Sequence, residues 1–294
     1  MSWKIGVDGG GSKTECILVD PSGSVAARRK GPGCSPTLLG PERAGEVLRE
    51  ALQAVLAGKG GAEVSSTLLC MAGSRAFWRD FGAKLEGCGR VATGDDSLPV
   101  LELATRGGPG LVLHSGTGSF VAARTPDGGA HYAGGLGWRF GDEGSGYDLG
   151  RRAVARALLE IEGWAAPTGL GALVSSQAGG MAASEIAGRF HGADAVSEVA
   201  ALAPGILRLA AEGDPAAGEA VSESVRELLA LAVSVSQRLF PGERPKGFRA
   251  AVSGHILNHP FPYGILSSTS PFPLAQVAEA PIEGVRLLLA RDAG

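Results

Sequence analysis

The chain contains the same arrangement twice, a strand, a glycine-rich turn and a second strand, and this repeat restricts the possible folds more than any other feature. In the first copy, strands are predicted over residues 3–7 and 14–19, on either side of a run of glycines. In the second copy they are predicted over residues 111–114 and 119–124, on either side of a Ser-Gly-Thr-Gly-Ser turn. A further turn and a third strand follow each copy. Such a repeat predicts two structurally related halves that face each other across a cleft.

The rest of the pattern predicts an α/β protein of two domains. Further strands are predicted over residues 24–29, 67–71, 90–92, 130–133 and 248–252, and helices over residues 41–56, 76–85, 98–104, 149–161, 184–190, 214–240 and 282–290. We place the first domain at residues 1–114 and the second at residues 115–281. The C-terminal helix, 282–294, is a candidate to complete the first domain. A length of 294 residues agrees with two domains, because single cores seldom grow beyond roughly 250 to 300 residues.

Charge and hydropathy argue against several classes of function. The formal net charge is -3, which is not the basic field that nucleic-acid binding usually needs. We therefore expect a small-molecule ligand and no nucleic-acid partner. The N-terminus lacks the basic and apolar regions of a secretion signal, and no apolar stretch reaches the roughly 18 residues of a membrane span. We expect a cytoplasmic protein with no membrane partner.

The cysteines predict no metal or disulfide framework. All four lie in the first third of the chain, and no pair has the C-x-x-C spacing of a zinc or redox site. They are Cys16, Cys34, Cys70 and Cys88. We expect reduced, mostly buried thiols.

The first glycine-rich turn is a candidate phosphate-binding loop. Glycines let backbone N–H groups point at one spot with no Cβ in the way, which suits phosphate oxygens. Ser12 adds a hydroxyl donor, and Asp8 is a candidate ligand of Mg²⁺, directly or through water. The candidate nucleotide-binding residues here are Asp8, Gly10, Gly11, Ser12, Lys13 and Thr14. The alternative is a hairpin that binds no ligand; neither a Walker loop nor a Rossmann motif is present.

The second turn repeats this chemistry with Gly116, Thr117 and Gly118, and two such turns in equivalent places are suited to one triphosphate. Between the two turns, Asp95 and Asp96 stand at the end of a predicted strand. A carboxylate there is a candidate base for a sugar hydroxyl that attacks the γ-phosphate. The alternative is that one of these aspartates only caps the helix that follows.

A further glycine-rich segment, residues 134–147, contains Asp142 and Glu143. Its glycine density predicts a loop whose backbone lies against a ligand, with carboxylates available for sugar hydroxyls. The alternative is that Glu143 caps a neighbouring helix or pairs with Arg139.

Together these motifs resemble the BadF/BadG/BcrA/BcrD ATPase family and, within it, the N-acetylglucosamine kinases. The match follows nearly the whole chain in order, and its most specific part is Gly-Asp-Glu-Gly-Ser-Gly-Tyr at residues 141–147. The resemblance implies two ribonuclease-H-like (actin-like ATPase) domains that flank a nucleotide cleft. It also implies ATP and Mg²⁺ as cofactors and a small sugar as substrate.

The resemblance assigns roles to single residues. It implies that Asp96 is the catalytic aspartate, which also contacts the acceptor, and that Asp142 binds the sugar. Residues 252–255 resemble the family's adenosine loop. The matching nucleotide-binding positions are Ser12, Thr117, Gly205 and Gly254.

The chain departs from the N-acetylglucosamine kinases on the sugar side. Ser35 stands where those enzymes have Asn, and Leu136-Gly137-Trp138 where they have Trp-Gly-His. Phe120 stands at a sugar-contacting Asn of the animal enzymes. Loss of amide and imidazole groups removes hydrogen bonds that select one sugar over another, which leaves the sugar open. The candidate substrate-binding residues are Ser35, Asp96, Leu136, Gly137, Trp138, Asp142 and Glu143.

We therefore expect an ATP-dependent kinase for a small sugar, such as an amino sugar of the N-acetylglucosamine type, that forms a homodimer. Two alternatives stay open. Other members of the family activate 2-hydroxyacyl-CoA dehydratases with ATP and an iron–sulfur cluster that cysteines hold at the subunit interface. The strand-like and early-loop positions of the cysteines argue against such a cluster here. The second alternative is a non-catalytic nucleotide or sugar sensor.

Overall fold

The computed structural model shows an α/β protein and describes residues 2–57, 63–180, 182–192, 194–242 and 244–291. Within these ranges, no helix combines the length and the apolar character that crossing a bilayer requires. The strands are β1 (Trp3–Gly9), β2 (Lys13–Val19), β3 (Val25–Pro32), β4 (Val64–Met71), β5 (Arg90–Asp95), β6 (Gly110–Ser115), β7 (Ser119–Arg124), β8 (Ala130–Gly134), β9 (Arg249–Ser253) and β10 (Ala275–Val277). The helices are α1 (Pro36–Leu39), α2 (Pro41–Leu56), α3 (Arg75–Gly82), α4 (Ser97–Thr105), α5 (Gly146–Ile161), α6 (Gly169–Ala178), α7 (Ala183–Arg189), α8 (Ala195–Ala200), α9 (Ala203–Ala211), α10 (Pro215–Leu239), α11 (Pro260–Thr269) and α12 (Pro281–Arg291).

The chain forms two compact units. The first contains the residues up to Arg106 together with those from Glu279 onward, and the second contains Gly107–Ala278. The sequence predicts a boundary after residue 114, whereas residues 107–114 lie in the second unit. The reason is that β6 pairs with β7 and β9 of the second sheet. The C-terminal helix α12 contacts α4 and β1 of the first unit.

Each unit is built on a five-stranded mixed sheet, and the two sheets share one strand order. The first sheet has the order β3-β2-β1-β4-β5, and the second has the order β8-β7-β6-β9-β10. In both, the first three strands are antiparallel and the last two join in parallel. The predicted fold class of two ribonuclease-H-like domains is confirmed. The two glycine-rich turns are therefore equivalent hairpins, one between β1 and β2 and the other between β6 and β7.

Helices cover both faces of the first sheet. Ile5 and Val7 of β1 are fully buried in a cluster that contains residues of α2 and α3. A side chain at Gly6 would point to the opposite face, because side chains alternate along a strand. A Cβ at Gly6 would lie 2.8 Å from Val285 of α12, so glycine allows the helix to pack closely on β1. This packing fixes the strand that carries Asp8.

The long helix α10 supports the second sheet. Asp214 caps its N-terminus by accepting a 2.9 Å hydrogen bond from the N–H of Ala217, a position that Asp favours. Val221, Val225 and Leu228 recur at helical spacing and are buried in the core of this unit. The helix contacts β6 and β7, and so it lies behind the strands that carry the second turn.

The sequence patterns did not predict several helices and one strand of the second unit. The helix α11 contains Pro260, Pro262 and Gly264, residues that usually interrupt helices. Both prolines lie in its first turn, where backbone N–H groups have no partner inside the helix. The strand β10 is only three residues long, and its pairing with β9 defines it. These elements form through tertiary contacts that a local pattern does not contain.

Candidate functional site

We call residues 10–13 the first turn. The N–H of Gly10 donates a 2.9 Å hydrogen bond to the C=O of Lys13, which closes the loop between β1 and β2. Gly10 does not have a positive φ, and the nearest described atom to a Cβ built there would be that same carbonyl oxygen, at 3.5 Å. Neither backbone strain nor packing therefore demands glycine at this position. The bare backbone leaves room for a ligand to approach.

Asp8 lies near the end of β1 and is 6% exposed. Burial raises its pKa to about 7, because desolvation outweighs the attraction of Lys13, and the carboxylates of Asp96 and Glu15 add repulsion. A divalent cation beside this carboxylate would favour its ionised form. The described residues contain no group of three or more His, Cys, Asp or Glu side chains placed to hold a metal ion. A single buried carboxylate fits Mg²⁺, which usually takes its other ligands from phosphates and water.

Two consecutive carboxylates at the end of β5 have different surroundings. Arg75 forms a bidentate ion pair with Asp95. Asp96 occupies the N-cap position of α4, but its side chain makes no capping hydrogen bond, and Pro99 in the first turn of the helix has no N–H to donate. Burial and the charge of Asp95 raise the pKa of Asp96 to about 6. The partly exposed Asp96 is therefore suited to accept a proton near neutral pH.

The first turn, Asp8 and Asp96 lie at one edge of the first sheet. Met71 of β4 pairs with Gly9 of β1 and with Asp95 of β5. Because these three strands are parallel, their carboxyl ends meet at the same edge. The charge of Asp96 contributes to the raised pKa of Asp8, so the two carboxylates act on each other. The structure thus brings together the candidate base and the candidate magnesium ligand.

Ser35 lies beside the first turn, although it follows a different strand. The N–H of Cys34 donates a 3.1 Å hydrogen bond to the C=O of Gly10. Gly33 passes so close that a Cβ there would lie 1.9 Å from the carbonyl oxygen of Gly11. Ser35 is 6% exposed and begins α1 without a capping hydrogen bond from its side chain. The predicted sugar-binding serine therefore belongs to the same edge of the sheet.

We call residues 116–118 the second turn. The N–H of Gly116 donates a 2.9 Å hydrogen bond to the C=O of Gly118. A Cβ at Gly116 would have the imidazole of His114 as its nearest described neighbour, at 3.8 Å, whereas a Cβ at Gly118 would lie 3.0 Å from Oδ2 of Asp142. Gly116 therefore leaves an open face like that of Gly10. Gly118 makes room for a carboxylate of the same unit.

The acidic segment, residues 141–147, is hydrogen-bonded to the second turn and its flanking serines. Two bonds run from N–H groups of the segment to carbonyls of the turn, Gly146 to Gly116 at 2.8 Å and Tyr147 to Thr117 at 3.2 Å. Two more run from serine hydroxyls to carbonyls of the segment, Ser115 to Gly144 and Ser119 to Glu143, both at 2.6 Å. The turn and the acidic segment therefore form one hydrogen-bonded structure.

Asp142 points from the acidic segment toward the second turn. Its φ of 68° is left-handed, a conformation that Asp tolerates better than most residues, and it is 8% exposed. Burial raises the pKa of this carboxyl, and hydrogen bonds from the N–H groups of Ser119 and Gly137 partly offset that effect. Backbone groups on two sides thus fix the carboxylate. Glu143 beside it is only partly buried.

The loop before the acidic segment exposes apolar side chains. Leu136 is 70% exposed and Trp138 is 38% exposed. The ring of Trp138 lies 5.4 Å from the ring of Tyr147, and the guanidinium of Arg139 lies 4.8 Å from its centroid. An accessible aromatic ring with a polar edge is suited to contact a sugar ring.

Phe120 and Gly254 are both closely packed against other residues of the second unit. Phe120 is 6% exposed and stacks at 4.9 Å on His114 and at 5.2 Å on Tyr132. Gly254 has a φ of 91°, and a Cβ there would lie 1.9 Å from the carbonyl oxygen of Ser115. The fold therefore requires glycine at this position, at the base of the second turn.

Gly205 lies in α9, where a Cβ would come within 2.8 Å of the side chain of Leu173 in α6. Close packing of the two helices accounts for a glycine there. Its assignment to the nucleotide stays a prediction.

The cysteines are buried in the first unit. Cys16, Cys34 and Cys70 are 0% exposed, and Cys88 is 2% exposed. Burial raises the pKa of Cys16 to about 12 and that of Cys34 to about 11. Buried, protonated thiols are poor ligands for a cluster shared with a second subunit. This arrangement disfavours the dehydratase-activator alternative.

Some residues that support the site side chains have no signal in the local sequence. Arg75 forms an ion pair with both oxygens of Asp95, so the two neighbouring carboxylates differ in their partners. Ser224 bonds both to Asp148 and to the N–H of Gly144, from which it is 80 positions away in sequence. No local pattern marks Ser224, which sits within a long helix. Asp148 carried one available signal, because it follows a serine by three residues at a helix start.

A family model for the BadF/BadG/BcrA/BcrD ATPase family matches residues 5–254. The chain belongs to this family, which confirms the resemblance that the motifs indicated. A curated relative, the N-acetylmuramic acid/N-acetylglucosamine kinase of Clostridium acetobutylicum, is 31% identical over 174 residues. That match covers 55% of this chain and 55% of the relative, about half the length of each.

Solved structures are similar over the whole chain. The crystal structure of a proposed N-acetylglucosamine kinase from Chromobacterium violaceum has a TM-score of 0.80 at 26% identity, over 98% of this chain and 99% of that chain. A ROK family glucokinase from Streptomyces griseus, in complex with glucose and AMPPNP, has a TM-score of 0.59 at 17% identity, over 99% and 100%. The second likeness shows the fold alone.

Proposed function

We propose that this chain is an ATP-dependent kinase that transfers the γ-phosphoryl group of ATP to a hydroxyl of a small amino sugar such as N-acetylglucosamine. The observation that carries the proposal is Asp96, a partly exposed carboxylate with a pKa of about 6 at the edge that holds Asp8 and the first turn. Membership of an ATPase family supports ATP as the donor. The relatives at 31% and 26% identity, described as kinases of this sugar class, support the acceptor.

In this proposal Asp96 acts as the base. The sugar hydroxyl attacks the γ-phosphorus, its proton passes to the Asp96 carboxylate, and ADP leaves with the electron pair of the broken P–O bond. The transition state is loose, so positioning and charge neutralisation supply most of the rate. Asp95 is less suited to this role because Arg75 already holds both of its oxygens.

The glycine-rich turns offer backbone N–H groups to phosphate oxygens. Gly10 and Gly116 lack Cβ atoms on faces that are open in the described structure, which supports this role. The proposed nucleotide-binding residues are Asp8, Gly10, Gly11, Ser12, Lys13, Thr14, Gly116, Thr117, Gly118 and Gly254. Asp8 would hold Mg²⁺, which when bound neutralises charge on the phosphates.

The acidic segment and the loop before it supply the proposed sugar contacts. Asp142 and Glu143 offer carboxylates that accept hydrogen bonds from sugar hydroxyls, and Trp138 offers an exposed ring. Asp142 is the stronger candidate of the two acids because backbone N–H groups fix its position. The other proposed contacts are Ser35, Leu136 and Gly137.

Coupled ADP release with a panel of sugars tests the proposal. The panel contains N-acetylglucosamine, glucosamine, N-acetylmuramic acid and glucose, with Mg²⁺-ATP in every assay. ADP release that depends on an amino sugar supports the kinase. Hydrolysis of ATP without a sugar would support a dehydratase activator instead, and binding of ATP without turnover would support a sensor.

The expected homodimer and the cytoplasmic location stay predictions. Sedimentation of the purified protein at assay concentration measures the first, and fractionation of expressing cells measures the second. A single species at twice the chain mass of 29.7 kDa supports the dimer.

A further inference from the structure

Ser224 of α10 joins the helical core of the second unit to the acidic segment. It is 0% exposed, and its hydroxyl donates a 2.6 Å hydrogen bond to Oδ2 of Asp148. The hydroxyl oxygen of Ser224 in turn accepts a 3.1 Å hydrogen bond from the N–H of Gly144. A buried serine within a helix often bonds instead to a carbonyl of its own preceding turn. This hydroxyl links two other elements, so removing it leaves a buried N–H and a buried carboxylate each without one partner.

Gly144 lies directly against α10. Its φ is 79°, and a Cβ there would lie 2.9 Å from the side chain of Leu228. Ser224 and Leu228 are four residues apart and therefore share one face of the helix. The acidic segment thus rests on α10 at Gly144, two residues after Asp142 in the chain.

Asp148 in turn fixes the Ser224 hydroxyl. Arg151 and Arg152 donate hydrogen bonds of 2.8 Å and 3.0 Å to the Asp148 carboxylate. Burial alone would raise the pKa of Asp148, but the hydrogen bonds of Ser224 and Arg151 and the charge of Arg152 hold it below its usual value. Arg152 also pairs with Glu223 of α10, at 3.0 Å. The Ser224 hydroxyl therefore donates its hydrogen bond to an ionised carboxylate that two arginines hold in place.

The acidic segment is held from two sides. Ser115 and Ser119, which flank the second turn, hold its carbonyl groups, and Ser224 of α10 holds the N–H of Gly144. Asp142 directly precedes the two residues that are held, Glu143 and Gly144. Loss of the α10 support would let the Asp142 carboxylate move, while the closing bond within the second turn would remain.

We propose that Ser224 is a positioning residue for Asp142, acting through Gly144, and that it sets the affinity for the acceptor sugar and not for the nucleotide. The inference rests on the proposed function, because it takes Asp142 as a contact of the sugar. Ser224 itself would touch neither substrate.

Kinetics of Ser224→Ala test the proposal, with Ser236→Ala as the matched control. Ser236 is a second buried serine of α10, 6% exposed. Ser224→Ala removes both hydrogen bonds of the hydroxyl, and the bond to Gly144 is the one that reaches the acidic segment. We expect the KM for the sugar to rise about tenfold, the effect of one lost buried hydrogen bond. The kcat and the KM for ATP stay within about twofold of wild type, and Ser236→Ala changes neither KM.

Ser224→Cys keeps the test valid if the alanine variant does not fold. Sulfur is a weaker acceptor in a side chain of similar size, so the KM for the sugar should rise less than in Ser224→Ala. An unchanged KM for the sugar in the folded variants would overturn the proposal. An equal rise in the KM for ATP would overturn it as well.

A double variant asks whether Ser224 acts through Asp142. Asp142→Asn suits the left-handed backbone, because Asn tolerates it. If Ser224 works only by placing Asp142, adding Ser224→Ala to Asp142→Asn raises the KM for the sugar little further. Full additivity of the two effects would contradict the proposal.

Hydrogen exchange tests whether Ser224 holds the acidic segment, and it does so without an enzyme assay. The amides of residues 142–147 should exchange faster in Ser224→Ala than in Ser236→Ala, while the rest of α10 keeps its protection. Unchanged protection of the acidic segment would overturn the positioning role. If wild type releases no ADP in response to a sugar, the proposed function fails, and exchange still decides whether Ser224 holds the segment.

Discussion

The two units use one strand order to present a glycine-rich turn, but they support that turn with different chemistry. Beside the first turn lie Asp8 and Asp96. Burial and the charges of Asp96 and Glu15 raise the pKa of Asp8 to about 7, and burial and the charge of Asp95 raise that of Asp96 to about 6. Beside the second turn, serine hydroxyls and backbone N–H groups hold the acidic segment in place. In the first unit the two carboxyl groups are placed where a bound cation would neutralise their charge. In the second unit the acidic segment already has hydrogen-bond partners within the protein. One topology thus holds two carboxyl groups with raised pKa values in one copy and a hydrogen-bonded acidic segment in the other.

The largest expected effect is on catalysis in the first unit. Asp96→Asn removes the proposed base and keeps the size of the side chain, so kcat should fall by about 10²-fold to 10⁴-fold while the KM for ATP changes little. Steady-state rates with saturating sugar measure this. Asp95→Asn is the matched control, because its carboxylate pairs with Arg75, and it should reduce kcat far less. Near-normal turnover of Asp96→Asn would remove Asp96 from the mechanism.

Glycine substitutions should separate folding from binding in the second unit. Gly254→Ala combines a φ of 91° with a 1.9 Å approach to the carbonyl oxygen of Ser115, so it should destabilise the protein by about 3 kcal/mol or more. Gly116→Ala meets no such contact and should keep stability but raise the KM for ATP about tenfold, because a methyl group would stand on the open face of the turn. Thermal unfolding and nucleotide kinetics of the two variants provide the comparison. An equal loss of stability in both variants would contradict the claim that Gly116 has open space beside it.

The pH dependence of stability should differ between buried and exposed aspartates. The pKa of Asp8 rises on folding from 3.8 to about 7, so its contribution is fully present below pH 3.8 and is lost as the pH rises through about 7. Without metal, we expect this to amount to a few kcal/mol. Urea unfolding of Asp8→Asn should therefore vary less between pH 5 and pH 7 than that of wild type. Asp20→Asn, at an exposed site with a lowered pKa, should not flatten that profile.

The smallest expected effect concerns Arg75. The negative charge of Asp95 raises the pKa of Asp96, and Arg75 neutralises part of that charge through its ion pair. Arg75→Gln should therefore move the acidic limb of the kcat profile to higher pH, with little change at the plateau. A limb that stays in place would show that Arg75 does not tune Asp96.

The sequence predicted the elements that local rules control. The helix Pro41–Leu56 has the predicted bounds, because proline and glutamate mark its start and apolar residues recur at helical spacing. The glycine turns were found in the same way, since turn residues stand between apolar strands. By contrast, α11 was missed because its prolines and glycine oppose the helix rule, and tertiary packing overrides them.

The candidate site was less accessible from sequence than the fold. The motif at residues 141–147 indicated Asp142, but nothing local pointed to Ser224, because the contact spans 80 residues and depends on how α10 packs. The residues alone left Asp95 and Asp96 as alternatives, and only the family resemblance selected Asp96. The ion pair of Asp95 with Arg75, which gives a physical reason for that choice, is not visible in the local sequence.

Phosphorus NMR of a reaction with Mg²⁺-ATP and N-acetylglucosamine tests the central claim most directly. A kinase with this site should convert the γ-phosphoryl signal into a sugar phosphomonoester in equal amount to the ADP formed, and a sample without sugar should show almost no turnover. Release of inorganic phosphate at the same rate with and without the sugar would contradict the account.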